Sequence, residues 1–323
     1  MQLWDIDVNP ELAIKGRFQR DEHGHEIWVL TAKRAWMFIE KQWVEQAQPE
    51  IFDDPIYEGE AGFSAMKHDH EFPVSRKNTD VIVVGKARAY AKRPTPYLEC
   101  RLVVEGHIDK TIAVHGPRHW VEHGGTVTLS NPQAFIEKEV DYTHALGGDA
   151  RNRVGGGIAE DNETLLKQVP PSVFYVNENW GPSNKQTRVA GFGPLPPFFQ
   201  ARYQYAGTFD TRWEELRRPL LPTDFDRRFY QSAPSDQQCD GFLKGGERVL
   251  VSGFCHDDVL SFRIPNERYA AVVTFSDGVM HDNLEMHTVF VDAENKTISI
   301  SYSASFVCQG REHLLKTSNI VAV

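Results

Sequence analysis

Thirteen histidines, many beside acidic residues, are the first groups in this chain that could do chemistry. His23 and His25, the run His68-Asp69-His70, the trio His115, His119 and His123, the triplet Cys255-His256-Asp257, and His281-Asp282 with His287 all offer metal-ligand side chains. A zinc site needs three or four such ligands converging at fixed distances. The trio would share one face only on a helix, and Gly116-Pro117 lies inside it, where proline breaks helical bonding. The other clusters lack recognised ligand spacing. Solvated surface histidines are therefore expected, with no metal and no cofactor. Nucleophilic catalysis finds little support either. There is no G-x-S-x-G turn, and adjacent Cys255 and His256 would point to opposite faces of a strand. Asp53-Asp54 and Asp257-Asp258 read as turns, although a hydrolytic carboxylate pair can lie far apart in sequence. Gly155-Gly156-Gly157 lacks the lysine and the spacing of phosphate-binding loops and reads as a tight loop.

Recognition chemistry is better represented. From Ala190 to Gly241 the chain is dense in Pro, Gly, aromatics and Arg, without a long periodic pattern. Backbone bonding alone cannot fix such a stretch, so side chains must. One reading packs the rings onto a β core. The other leaves some exposed as anchors for a partner chain, where Tyr, Trp and Arg are favoured. The anchor candidates are Trp180, Phe198, Phe199, Arg202, Tyr203 and Arg212. Trp120 and Trp213 are expected to be buried fold determinants.

The elements that must position these residues are mainly strands. Val81–Val84, Cys100–Val104, Thr111–His115 and Thr126–Leu129, separated by turn formers, look like an antiparallel meander. A second series runs through Arg248–Phe254, Val259–Ile264, Ala270–Phe275, Thr288–Val291 and Thr297–Tyr302. The last alternates cleanly, which predicts one wet face. Residues 32–46 fit helical spacing too, but their β-branched and aromatic content favours strands. Helices are few and short: Thr211-Arg212-Trp213-Glu214 reads as a capping box, and Thr164–Gln168 as another turn. The fold class is thus mainly β, with sandwich-like or barrel-like antiparallel sheets, a long irregular Pro/Gly/aromatic-rich central segment and few short helices. The expected organisation is one compact unit over residues 1–323, or two sub-domains. Its stretches are an N-terminal β region (1–145), the irregular segment (146–245) and a C-terminal β region (246–323).

The chain has 323 residues, is 41% hydrophobic and carries a formal charge of −10. That balance argues against nucleic acid, which demands basic clusters, and would suit a basic client. No window approaches the ~18 apolar residues of a membrane span, and the N-terminus does not resemble a secretory signal. Four cysteines without a C-x-x-C pair fit a reduced, cytoplasmic setting.

A set of marks then points to a family. Thr79-Asp80-Val81-Ile82-Val83-Val84-Gly85 with Ala87 is one. Others are Lys110 to Val114 followed by Gly116, Arg118 and Trp120, and Ala145-Leu146-Gly147-Gly148 with Asn152, Gly155 and Gly157. Ala190-Gly191-Phe192-Gly193-Pro194 continues the set with Arg202, Ala206-Gly207-Thr208, Trp213 and Pro219. It goes on through Asp224-Phe225-Asp226, Arg228, Ala233-Pro234 and Asp236-Gln237, and ends with Gly245, Glu247 and Phe262. Over roughly Gly24 to Pro265 the chain resembles the domain of unknown function 2169 family. Leu146 and Arg153 depart from its pattern. The resemblance implies a cytoplasmic adaptor or chaperone that binds a type VI secretion effector and assists its loading onto the spike. The implied partners are the secreted effector and a spike or spike-tip protein, with no nucleic acid and no membrane. It carries over no catalytic residues. It marks Asp80, Gly85, Trp120, Gly147, Gly148, Gly191, Gly193, Trp213, Asp224 and Asp226 as fold determinants. Two other classes stay open: a carbohydrate-active or metal-assisted hydrolase with an unrecognised Asp/Glu/His site, and a carbohydrate-binding module.

Overall fold

The computed structural model describes residues 5–6, 12–40, 42–178, 187–257 and 259–323. The fold is mainly β, and its α-helices among those residues are the short Asn162–Lys167, Gln200–Tyr203 and Thr211–Leu216. None is long and apolar enough to cross a membrane. The largest sheet runs Ala13–Arg20, Glu26–Ile39, Thr297–Val307, Glu285–Asp292 and Asp80–Val84, with Gln42–Gln46 folded back on Glu26–Ile39. Its pairs are antiparallel except the last, where Asp80–Val84 lies parallel to Glu285–Asp292. A second sheet, antiparallel throughout, orders Val173–Tyr175, Ile108–His115, Tyr97–Val104, Arg248–Ser252 and Leu260–Arg263. A third holds Asp5–Ile6, Leu315–Ala322, Tyr269–Phe275 and Gly278–Asn283.

Period-two alternation explains the layering. Along Glu26–Ile39, Trp28, Leu30 and Ala32 enter the main core, while Ile27 and Val29 enter a second cluster with Ile51, Phe72 and Val74. A strand buried on both faces reads as a continuous apolar run, as Ile27–Leu30 does. The neighbouring Thr297–Val307 sends Ile298, Ile300, Tyr302 and Phe306 into the main core. Its serine face, expected wet, is instead partly roofed. Ser301 is buried and bonds the Glu71 carboxylate, and Ser305 donates to the Val74 carbonyl at 2.7 Å. Polar side chains toward the 69–76 stretch supply partners that water would otherwise supply.

The expected meander is also corrected. Tyr97–Val104 and Ile108–His115 do form a hairpin. Asp80–Val84 joins a different sheet, and Thr126–Leu129 pairs with Trp120–His123 in a separate ribbon. Sequence spacing reports neighbours along the chain, and these pairings are decided by partners far from it. Strand pairing likewise crosses both expected boundaries. Residues of Glu26–Ile39 pair with Thr297–Val307, and Tyr97–Val104 pairs with Arg248–Ser252. One core cluster contains residues from Leu12 to Ile320.

Several marked residues shape the central stretch locally. Asp210, one residue before the expected cap, accepts from the Trp213 amide at 2.8 Å and starts Thr211–Leu216. Asp226 caps the turn Arg227–Tyr230, and Asp224 holds the Thr208 amide and hydroxyl at 2.9 and 2.7 Å. Gly148 sits at φ +106°, and a Cβ there would lie 2.4 Å from the Ile158 carbonyl oxygen. A Cβ on Gly191 would enter the Tyr142 ring at 2.5 Å, and one on Gly147 would lie 2.4 Å from the Asn152 carbonyl. At Gly85 the backbone itself is left-handed, at φ +143°. Gly193 differs: its added Cβ would make only an ordinary 3.9 Å contact. Trp120 and Trp213 are half-buried rather than buried. Each acts as a clasp, donating its indole N–H at 2.8 Å to the carbonyls of Gln168 and Leu220 respectively.

Candidate partner-binding groove

Three polar anchors fasten the central stretch to the sheets. Asp80 is fully buried at the start of its strand. It accepts from Gln231 Nε2 and the Ser232 amide at 2.7 Å, from the Ala233 amide at 3.1 Å, and from Arg76 at 2.8 Å. Arg202 is 3% exposed and donates to Asp69 at 2.9 Å and to the carbonyls of Leu195 and Phe229. Lys110 lies in an inward row of its strand, between Ile108 and Ile112. Its Nζ donates to Asp236 Oδ1, Gln237 Oε1 and the Gly191 carbonyl at 2.7–2.8 Å. Burial pushes the Lys110 ammonium down to about 8, against the opposing pull of Asp236. The turn Ser235–Gln237 brings both acceptors to that point. Asp236 also accepts from the Tyr175 hydroxyl at 2.7 Å, and burial followed by that carboxylate raises the phenol.

Above these anchors the stretch encloses an open groove of about 460 Å³. Leu195, Ala233 and Pro234 supply apolar lining, and Gln200 and Gln204 come from the helix Gln200–Tyr203 and its end. Two guanidinium–ring stacks also line it. Arg188 lies 3.8 Å over the Tyr175 ring, and Arg228 lies 4.2 Å over the Tyr205 ring. A guanidinium on a ring keeps its donors available in plane. Arg188 donates Nε to Glu178 at 2.6 Å, and that bond raises its pKa further. Among the described residues neither terminal nitrogen of Arg188 makes a hydrogen bond.

The model of a family described as "Uncharacterized protein conserved in bacteria (DUF2169)" matches residues 23–303. The chain belongs to this family. No curated protein and no solved structure matches it. The DUF2169 match includes the strands Glu285–Asp292 and most of Thr297–Val307, beyond the stretch where the marks are dense.

Within this DUF2169 fold the anchor candidates separate. Phe199 is 0% and Arg202 3% exposed, so both are internal supports rather than free anchors. Each had a stronger internal use: Phe199 meets the Tyr142 ring edge-on at 5.4 Å, and Arg202 neutralises Asp69. Phe198 is half-buried between Tyr57 and Phe199. Tyr203 and Arg212 are exposed, and Trp180 lies outside the described residues. The groove brings in Arg151 and Tyr175, which sequence reasoning did not single out. Asp236-Gln237 and Lys110 stood among the family marks, and their pairing was the available signal.

The histidines are corrected as well. His287 is 1% exposed, and burial beside Arg76 holds it well below the ordinary range. His68 is half-buried, stacked on Phe290 at 4.2 Å, and burial with Lys33 pushes it down to about 4. These rings fill gaps under the roof of the largest sheet. Among the described residues no group of three or more His, Cys, Asp or Glu is placed to hold a metal. A second cleft, about 670 Å³, is lined by Glu58, Glu139, Asp141, Asp292 and Glu294. Glu58 pairs with Lys67, Glu139 with Lys86 and Glu294 with Arg88. Burial opposes ionisation of Asp141, but its bonds from His144 and Thr143 outweigh that and lower its pKa.

Proposed function

We propose that this DUF2169 protein is an adaptor or chaperone that holds a type VI secretion effector and assists its loading onto the spike. The observation that carries the reading is the use made of the ring- and arginine-rich stretch. Buried polar anchors at Asp80 and Lys110 fix it to the sheets and Arg202 fixes it to Asp69, while its Arg228 and Tyr205, with Arg188 and Tyr175, line an open groove. A groove held by its own scaffold loses little conformational entropy when it binds, which favours a partner chain. Tyr and Arg are the residues that carry such contacts. The family resemblance supplies the secretion setting: a cytoplasmic protein whose partners are an effector and a spike or spike-tip protein, without nucleic acid or membrane.

Co-expression with each product of the neighbouring genes, followed by gel filtration, tests this reading. One effector or spike component is expected to elute with the chain as a stable complex. If every neighbouring product elutes alone, the adaptor reading fails. The rival hydrolase would use the acidic cleft around Asp141 and Asp292. Polysaccharide cleavage that Asp292→Asn abolishes would replace the adaptor reading with it.

A further inference from the structure

We infer that the groove takes a carboxylate-bearing segment of the partner protein, seated between the Arg188–Tyr175 and Arg228–Tyr205 stacks. This inference rests on the adaptor reading and names the chemistry of the segment bound.

The whole chain carries a charge of −10. The groove departs from that balance, because its lining includes four guanidinium groups, from Arg151, Arg188, Arg202 and Arg228, and a single carboxylate, Asp236. That carboxylate is engaged from within: Oδ1 accepts from buried Lys110 and Oδ2 from Tyr175. Each guanidinium pairs with an acid behind the lining: Arg151 with Asp149, Arg188 with Glu178, Arg202 with Asp69 and Arg228 with Asp226. A visiting segment meets the terminal N–H groups of Arg188, which no described residue bonds, and must bring acceptors to them.

Geometry selects carboxylates over neutral acceptors. Arg188 has both terminal nitrogens unbonded among the described residues, and its plane is fixed by the ring beneath it and by Glu178 at Nε. A fixed guanidinium with a free fork matches a carboxylate by two parallel bonds, the stronger class of hydrogen bond. The apolar lining at Leu195, Ala233 and Pro234 offers room for apolar or aromatic side chains between the acids. A basic segment would find the one lining carboxylate already engaged by Lys110 and Tyr175. The acidic character of the remaining surface suits basic regions elsewhere on the partner, so one client can meet both signs.

A fluorescein-labelled peptide alternating glutamate with tyrosine is the probe, with fluorescence anisotropy as the readout. Its glutamine counterpart, a lysine counterpart and an oligogalacturonate are the comparison ligands. The glutamate peptide is expected to bind, and to weaken as salt rises. Arg188→Gln, on an exposed side chain, is expected to weaken it about tenfold while the melting temperature holds. Arg228→Gln serves as the second variant and is expected to act in the same direction. Equal binding of the glutamine peptide, no effect of either variant, or no peptide binding overturns the inference. Binding of the oligogalacturonate alone also overturns it, since the groove would then be a sugar-acid site. The two readings can fail separately. An effector complex that survives both arginine variants removes the groove assignment and leaves the adaptor standing. Peptide binding without any partner complex removes the adaptor reading and leaves the groove chemistry.

Discussion

Asp80 begins a strand of the largest sheet and also accepts two backbone amides and a side-chain amide from residues 231–233 of the central stretch. Its second partner, Arg76, has a side chain only 3% exposed, and its Nε is buried without a partner. Removing the carboxylate leaves that guanidinium buried and uncompensated, and it orphans the Ser232 and Ala233 amides. Asp80→Ala is therefore expected to cost about 3–5 kcal/mol, the range for breaking a buried pair by deleting one member. Urea unfolding would show it as a lowered midpoint at similar slope, and an unchanged midpoint would contradict the anchor role. The residue type at this position was legible, because an aspartate before four β-branched residues stood out in the sequence. What it bonded was not legible, since its partners lie far along the chain. The same limit misled at Phe199 and Arg202, where sequence reports a sticky side chain but not which side of the wall it occupies. At Trp120 and Trp213 the size of the ring suggested full burial, whereas one indole N–H bond to a carbonyl holds each at the surface.

Several elements meet where the 69–76 stretch and the central stretch lie against the largest sheet. Glu71 accepts from Lys33 and from Ser301 there, Arg202 bonds Asp69, and His68, His70 and His287 lie among them. His68 feels Lys33 and Lys67 against protonation, and Glu71 and Asp292 in favour of it. His70 feels Arg76, Arg202 and Arg17 against, and Asp69 in favour, while His287 feels Arg76, His70 and Lys33 against. Burial is the largest cause in all three and keeps the rings neutral. An unfolded histidine titrates at about 6.5. Folding lowers His68 to about 4, so between those values the unfolded chain binds more protons. Stability is then complete above about pH 6.5 and is lost as the pH falls toward 4, at about 1.4 kcal/mol per pH unit for each ring kept neutral. Melting curves from neutral pH to about pH 5 should show this loss. His68→Phe, which keeps a ring against Phe290, should flatten the dependence; an identical slope would remove His68 from the account. Strand type was readable from β-branched and aromatic runs, but this polar layer was not. Serines alternating with apolar residues look the same whether water or a buried glutamate answers them.

At the scale of the whole molecule, the order of strands in space differs from their order in the chain. Thr297–Val307 lies between Glu26–Ile39 and Glu285–Asp292, so two C-terminal strands occupy the middle of a sheet whose other members are N-terminal. Residues 246–323 also provide Arg248–Ser252 and Leu260–Arg263 to the second sheet, and Tyr269–Phe275, Gly278–Asn283 and Leu315–Ala322 to the third. Composition made a mainly β chain legible, and turn residues marked most strand ends. The interleaving was hidden, because pairing between distant strands depends on shape across the whole core. It has a direct consequence. A chain ending at residue 245 would expose Trp28, Leu30, Val81 and Leu102, all in the shared core, without the strands that cover them. Burial of that apolar surface is the main favourable term in folding, so the remainder cannot offset its own chain entropy. Residues 1–245 are expected to show no cooperative thermal transition, and co-expression with 246–323 is expected to restore one. The intact chain should melt in a single calorimetric step whose van't Hoff and calorimetric enthalpies agree. A sharp independent transition from 1–145, 146–245 or 246–323 alone would show that a stretch closes its own core. The groove would then hang on a separable body, instead of being held by the largest and the second sheet together.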